Sequence, residues 1–339
     1  MSTDQSRILR YAWRLINLAA VLALCVVILG AWTRINNAGL SCPDWPGCYG
    51  HMVLPSDPEK LQQVQQLYPE QIIEQGKTQL EMAHRYLAGG LGMVIMLLAA
   101  CALLMRNKQS YPVWQSYGMF LLVIIQALFG MWTVTLKLYP PVVTLHLLGG
   151  VVTLMIILLV RFRIRLLLEQ NDQGTQSRKN ARLLKLALGV LLIQIVLGGW
   201  TSSNYAGTAC SDWLQCNSQA DLQPDFATGF NPVKVIGPNY EGGLLPIDAR
   251  AAIHIGHRIG AAIVTLTVIC LTVKLYRYRH LRGPLLVLGF LLVAQLVLGG
   301  MNVTYAVPAG LAIVHHSMAV ALLMVLLWIH GRLKVQDEV

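Results

Sequence analysis

Apolar residues gather along the chain into eight blocks of roughly twenty, at about 12–33, 84–105, 115–136, 142–163, 183–202, 251–275, 284–306 and 310–331. Each is long enough for a helix to cross a hydrocarbon layer. Helix is the expected form, because backbone N–H and C=O groups in lipid must be paired within their own segment. The first block is too long for a cleaved leader and lacks a small-residue cleavage site, so it is expected to be a retained span. Two polar stretches, about 34–83 and 203–250, are long. The first holds Glu59-Lys-Leu-Gln-Gln-Val-Gln-Gln-Leu67, with apolar residues at helical spacing, and predicts a short surface helix. The second is rich in Gly, Pro and Asn and predicts irregular coil.

Composition agrees with the pattern: 55% of the 339 residues are apolar and 12% are charged, with a mean hydropathy of +0.55. A soluble domain carries about 25% charged residues, which leaves an all-α integral membrane protein as the fold class. An even number of spans puts both termini on one side. That side holds 18 of the 26 Lys and Arg residues and 5 of the 16 Asp and Glu residues. The net charge of +10 thus divides into +13 on the terminal side and −3 on the other. Lys and Arg mark cytoplasmic loops, so the termini are expected in the cytoplasm and the two long loops outside. The basic excess is a topology signal, and the expected partner is the lipid bilayer, not nucleic acid.

The chain also repeats itself. Leu29-Gly-Ala-Trp-Thr-Arg-Ile-Asn-Asn-Ala-Gly-Leu-Ser-Cys-Pro-Asp-Trp-Pro-Gly-Cys48 matches the segment from Leu197 to Cys216 at an offset of 168, with eleven of twenty positions identical. His84-Arg85 recurs as His257-Arg258, and Gln126, Gly130, Val134, Thr135 and His146 recur at an offset of 169 as Gln295, Gly299, Val303, Thr304 and His315. Two tandem four-helix bundles of the same orientation are expected, as in parallel repeats: residues 1–163, a cytoplasmic linker 164–182, and residues 183–339.

Each even-numbered span carries a histidine near its outer end: His84, His146, His257 and His315. Ionisable residues inside spans are rare and usually face the bundle interior. A single one would read as a satisfied interior hydrogen bond, but four at matching depth in both halves call for a shared task. Two imidazoles facing each other across a bundle suit axial ligation of a haem iron, His84 with His146 and His257 with His315. Zinc would want a third protein ligand, and no Cys-x-x-Cys-His is present for covalent haem attachment. His316 adjoins His315 but points about 100° away. His51, His280 and His330 lie in loops or at a cytoplasmic end and are expected to be solvated.

The halves differ at one place. Glu81 precedes His84 by one helical turn, whereas His254 precedes His257. Glu81 reads either as a helix-start acid favoured by the dipole or as a proton acceptor beside a haem edge. The second makes the first half the chemical site and the second half a resident cofactor site. Arg85 and Arg258 suit either haem propionates or lipid headgroups. Cys42/Cys48 and Cys210/Cys216 recur in the outward loops, where disulfides are permitted; they read as structural staples or, in the first loop, as a redox-active dithiol. Asp44-Trp45 and Asp212-Trp213 within these loops are expected in turns, and Cys25, Cys101 and Cys270 behave as small hydrophobes.

Taken together, eight spans in two halves, Glu-x-x-His-Arg at Glu81–Arg85, His146, His257-Arg258, His315 and a Cys pair in the outer loops resemble the heme A synthase family, from about residue 12 to 331. The resemblance implies oxidation of the C8 methyl of heme O to a formyl group, giving heme A for cytochrome oxidase, by successive hydroxylations with loss of water. It implies heme B as cofactor on His257 and His315, heme O as substrate on His84 and His146, Glu81 as catalytic acid/base, and a functional Cys42–Cys48 disulfide. It places the protein in a bacterial-type inner (cell) membrane. Contact with the heme O synthase suits substrate handover, an electron acceptor is called for, and a homo-oligomer is open. Two other classes compete: a b-type di-haem electron-transfer protein, expected to stack its haems at two depths and leaving Glu81 without a purpose, and a haem transporter or chaperone, which needs no resident cofactor.

Overall fold

A computed structural model describes residues 3–53, 55, 57–69, 73–108, 110–169, 178–212, 216 and 222–335. Its helices are α1 (Thr3–Ile35), α2 (Pro58–Leu67), α3 (Gln75–Leu104), α4 (Val113–Thr135), α5 (Pro140–Glu169), α6 (Arg178–Ser203), α7 (Phe226–Gly229), α8 (Ile247–Leu275), α9 (Arg282–Thr304) and α10 (Ala309–Val335). Among the described residues, eight of these are long and apolar enough to span a membrane. Prolines mark several starts: Pro140 is the first residue of α5, and Pro112, Pro246 and Pro308 stand just before α4, α8 and α10. Proline's fixed φ and missing N–H suit a helix entry.

The helices overrun the apolar blocks. The second span opens at Gln75 rather than at 84, so Glu81 and His84 both lie inside α3. The expected surface helix is α2, with the Asp57 side chain accepting from the Glu59 amide at 3.1 Å. The second outer loop departs from simple coil. It contains a 3₁₀ turn at Ala206–Thr208 and the single turn α7, whose Asp225 side chain accepts from the Thr228 amide. It also docks on the α4–α5 turn, where the Tyr240 amide donates to the Lys137 carbonyl at 3.0 Å and the Tyr139 hydroxyl to the Lys234 carbonyl at 3.2 Å. Residues 170–177, part of the expected linker, and Trp213, expected in a turn, lie outside the described residues.

Packing follows one scheme twice. Helix α1 packs on α3 and α5, and both pack on α4, so α3 and α5 take opposite corners of a four-helix group. Likewise α6 packs on α8 and α10, and both pack on α9, leaving α8 and α10 opposite. The groups meet through α1, α5, α6 and α10, and one apolar core runs through both, including Ile16, Leu154, Ile157, Leu271 and Leu323. Leu121 and Leu128 on α4, and Phe290 and Val297 on α9, are exposed. Facing lipid, such stripes carry none of the aggregation hazard they would have in water.

Local geometry repeats as well. Non-glycine residues with left-handed backbone occur at Asn37 and Tyr205, 168 apart, and at Lys137-Leu138 and Ala306-Val307, 169 apart. The α4 and α9 exits close alike, with Leu138 N–H donating to Thr133 O at 2.8 Å and Val307 N–H to Asn302 O at 2.7 Å, the helix-terminating pattern that satisfies orphan carbonyls. Counterpart residues also touch: Arg34 Nη2 donates to the Ser202 carbonyl at 2.7 Å, and the Tyr205 hydroxyl donates to Asn37 Oδ1 at 3.1 Å. A residue meets its own counterpart only near an axis relating the two.

Candidate functional site

His84, His146, His257 and His315 sit six to ten residues after the first residue of α3, α5, α8 and α10 respectively. They therefore lie at matching depth, on the opposite-corner helices of each group. His84 and His146 meet with ring centres 6.4 Å apart and planes at 88°. Metal–nitrogen bonds of about 2.0 Å, with ring centres about 1.2 Å behind each nitrogen, would put the centres of two imidazoles sharing one iron at most about 6.4 Å apart. Both residues are half-buried, and the buried Nδ1 of each has no hydrogen-bond partner. The spacing and the unpartnered ring nitrogens would fit a haem iron held between them. His257 and His315 lie within electrostatic reach of each other. Among the described residues, no three His, Cys, Asp or Glu side chains converge on a point where a metal ion could sit.

The second pair has neighbours the first lacks. Gln194 Nε2 lies 3.1 Å from His257 Nδ1 and donates to the His257 carbonyl at 3.0 Å, and Gln295 Nε2 lies 3.3 Å from His315 Nε2. In the first group the counterpart of Gln295, Gln126, lies against the Gly149 backbone, much as Gln194 lies against that of Gly260, and the Oε1 atoms of all three glutamines are unpartnered. Valine stands at position 26, where the repeat would place a counterpart of Gln194. Hydrogen bonds behind a ligating histidine fix ring orientation and tune the metal. Repetition of Gln126 and Gln295 in the sequence was the signal for one of these residues, whereas Gln194 has no repeated partner to mark it.

Glu81 is 4% exposed and lies beyond the first turn of α3, where the helix dipole no longer favours an acid. Its contacts are with the disulfide loop. Glu81 Oε2 accepts from the Cys42 amide at 2.9 Å and the Ser41 hydroxyl at 3.0 Å, and Oε1 accepts from Arg85 Nη2 at 2.5 Å. Arg85 Nη1 donates onward to the carbonyls of Asp44 at 2.8 Å and Gly47 at 2.5 Å. The guanidinium forks of Arg85 are thus directed to protein groups, neither to lipid nor to an open face. Asp44 accepts from the Tyr49 and Gly50 amides, so this acid does close a turn. Burial, and then the charges of Glu81 and Asp44, raise the pKa of the Tyr49 phenol and keep it protonated. Both disulfides are formed, with Cα–Cα distances of 4.8 Å for Cys42–Cys48 and 4.5 Å for Cys210–Cys216. Cys25 and Cys270 are free and exposed on their spans, and Cys101 is half-buried.

In the second group His254 replaces Glu81 and lies near the Ala206 carbonyl of its own outer loop. Arg258, the counterpart of Arg85, lies within electrostatic reach of Asp212. His316 lies near the Val27 carbonyl of α1, so the doublet divides: His315 faces Gln295, and His316 faces the other group. His51 is exposed as expected, whereas His280 and His330 are half-buried, His280 against the Tyr278 ring.

Fold and site define a multi-pass helical membrane protein with paired intramembrane histidines and a disulfide-bonded loop clamped to the helix that carries one of them. Residues 13–327 match the family model COX15-CtaA, cytochrome oxidase assembly protein. The heme A synthase of Shewanella oneidensis is 40% identical over 319 residues, covering 93% of this chain and 94% of that one. Those of Rhizorhabdus wittichii and Caulobacter vibrioides are each 27% identical, over 335 and 330 residues, covering 93% and 91% of this chain and 92% of each relative. The chain belongs to the COX15-CtaA family of cytochrome oxidase assembly proteins.

Proposed function

We propose that the protein is a heme A synthase, oxidising the C8 methyl of heme O to the formyl group of heme A for cytochrome oxidase. Similarity along nearly the whole chain to proteins named heme A synthase carries the reading, and the unequal histidine pairs supply its division of labour. His84 and His146 bind the heme O substrate; their rings lack glutamine partners, as suits a group that must leave. Glu81, one turn from His84, accepts protons as the methyl is oxidised. Arg85 holds Glu81 in register with the disulfide loop that covers this end of the bundle.

His257 and His315, steadied by Gln194 and Gln295, hold heme B as the resident cofactor, which when bound supplies one-electron redox chemistry. Arg258 is proposed as a propionate contact, its neighbour one turn earlier being His254 in place of a carboxylate. The Cys42–Cys48 disulfide acts as a staple, since both cysteines are fully buried and the loop backbone is bonded to Glu81 and Arg85. The charge distribution supports a topology with both termini in the cytoplasm and the Cys-bearing loops outside. An electron acceptor, and contact with the heme O synthase for handover, belong to the same reading.

The test is chromatography of haems extracted from a host that lacks its own heme A and supplies heme O. Heme A is expected with the wild type and absent with Glu81→Gln, although that variant stays folded and haem-loaded. Unchanged heme O with folded, haem-loaded wild type would overturn the synthase reading in favour of an electron carrier.

A further inference from the structure

Each of the four histidines lies edge-on against a glycine of a neighbouring helix. A Cβ placed on Gly30 of α1 would stand 2.7 Å from Cε1 of His84, and one on Gly130 of α4 would stand 3.4 Å from Cε1 of His146. In the second group, a Cβ on Gly198 of α6 would stand 3.3 Å from Cε1 of His257, and one on Gly299 of α9 would stand 3.3 Å from Cε1 of His315. The nearest atom is the same in all four: the carbon between the two ring nitrogens. Gly30 and Gly198 are counterparts 168 apart, and Gly130 and Gly299 are counterparts 169 apart. Other glycines of these helices behave differently. A Cβ on Gly118 of α4, Gly189 of α6 or Gly289 of α9 would meet nothing within 4 Å.

The arrangement has a physical consequence. The torsion that turns an imidazole about its Cβ–Cγ bond is broad, so surrounding atoms must choose the ring plane. Backbone without a side chain lets the Cε1 edge approach closely, and the close approach then blocks rotation. We propose that Gly30, Gly130, Gly198 and Gly299 are positioning residues, seats that fix the ring orientation of the four histidines toward a haem iron. This rests on the reading of those histidines as haem ligands. A methyl group would collide with the ring at Gly30, force the ring to give by a few tenths of an ångström at Gly198 and Gly299, and come into ordinary contact with it at Gly130.

The test uses the full-length protein purified with the haem it retains. Gly198→Ala and Gly299→Ala are compared with Gly189→Ala and Gly289→Ala on the same helices, and with His257→Ala. Haem-to-protein ratio and the low-spin ferric paramagnetic resonance spectrum, which reports axial ring orientation, are read on monodisperse material. The seat variants are expected to shift the spectrum and weaken haem retention on the order of 10-fold, as disturbed support of a metal ligand does; the open-space variants stay as wild type. Should Gly198→Ala prove too unstable to purify, the proposal is decided by Gly299→Ala. Wild-type spectrum and haem content in the seat variants, with haem lost in His257→Ala, would overturn the seats alone. Full haem retention in His257→Ala would instead overturn the ligand reading beneath them.

Discussion

Replacing Arg85 with alanine should unfasten the Cys42–Cys48 loop from α3. The guanidinium neutralises Glu81 within a pair whose side chains are 12% and 5% exposed, and it donates to the carbonyls of Asp44 and Gly47. Removing one partner of a buried ion pair costs about 3–5 kcal/mol, because the other charge is left uncompensated. The loop can relax toward water at the rim, so the lower end, about 3 kcal/mol, is the appropriate figure. At about 1.4 kcal/mol per factor of ten, the open population of the loop rises about 100-fold. Both cysteines are fully buried, so reduction requires that opening, and its rate reports it. The assay exposes protein to a phosphine reductant, alkylates free thiols at intervals and counts them by mass spectrometry. Cys210–Cys216 serves as an internal control within the same molecule. Arg85→Lys keeps the charge but not the fork, and its effect should be about tenfold, from hydrogen bonds worth about 1 kcal/mol net. Equal reduction rates in wild type and Arg85→Ala would refute the clamp.

Gln194→Leu and Gln295→Leu should each weaken retention of the resident haem by about 10–100-fold, measured by transfer to apomyoglobin; Gln126→Leu should leave that rate unchanged. Arg34→Ala removes bonds to Ser202 and Tyr205 and a guanidinium stacked 4.3 Å over the Tyr205 ring. It should destabilise the detergent-solubilised protein by about 1–2 kcal/mol. A double-mutant cycle with Tyr205→Phe should show coupling, and strict additivity would exclude the contact.

The spans were legible because a bilayer imposes a length and an apolar composition that few other structures need. Their ends were less so: polar turns such as Gln75–Leu80 extend a helix beyond the lipid, where only capping and contacts decide. That extension is what moved Glu81 from the helix start into its body and gave it the Cys42 loop as a partner. The histidines stood out because ionisable groups in spans are scarce and these recur by repeat. Of their supports, Gln295, Gly130 and Gly299 recurred with the repeat but without a legible task, and Gln194 did not recur at all, because a sequence does not say which helix neighbours which. The division of His315 from His316 was legible only as a difference in direction; the packing of α10 against α1 supplied the target. The second outer loop read as coil because its order comes from docking on Tyr139 and Lys137, far away in the chain.

The central claim is that the two histidine pairs have different occupants, one passing through and one resident. It is tested by extracting haem from purified wild type, His84→Ala and His257→Ala, all produced in cells that make heme B but no heme O. The account predicts that His84→Ala keeps the wild-type content of heme B and that His257→Ala loses it. Loss of haem from His84→Ala with retention in His257→Ala would contradict it.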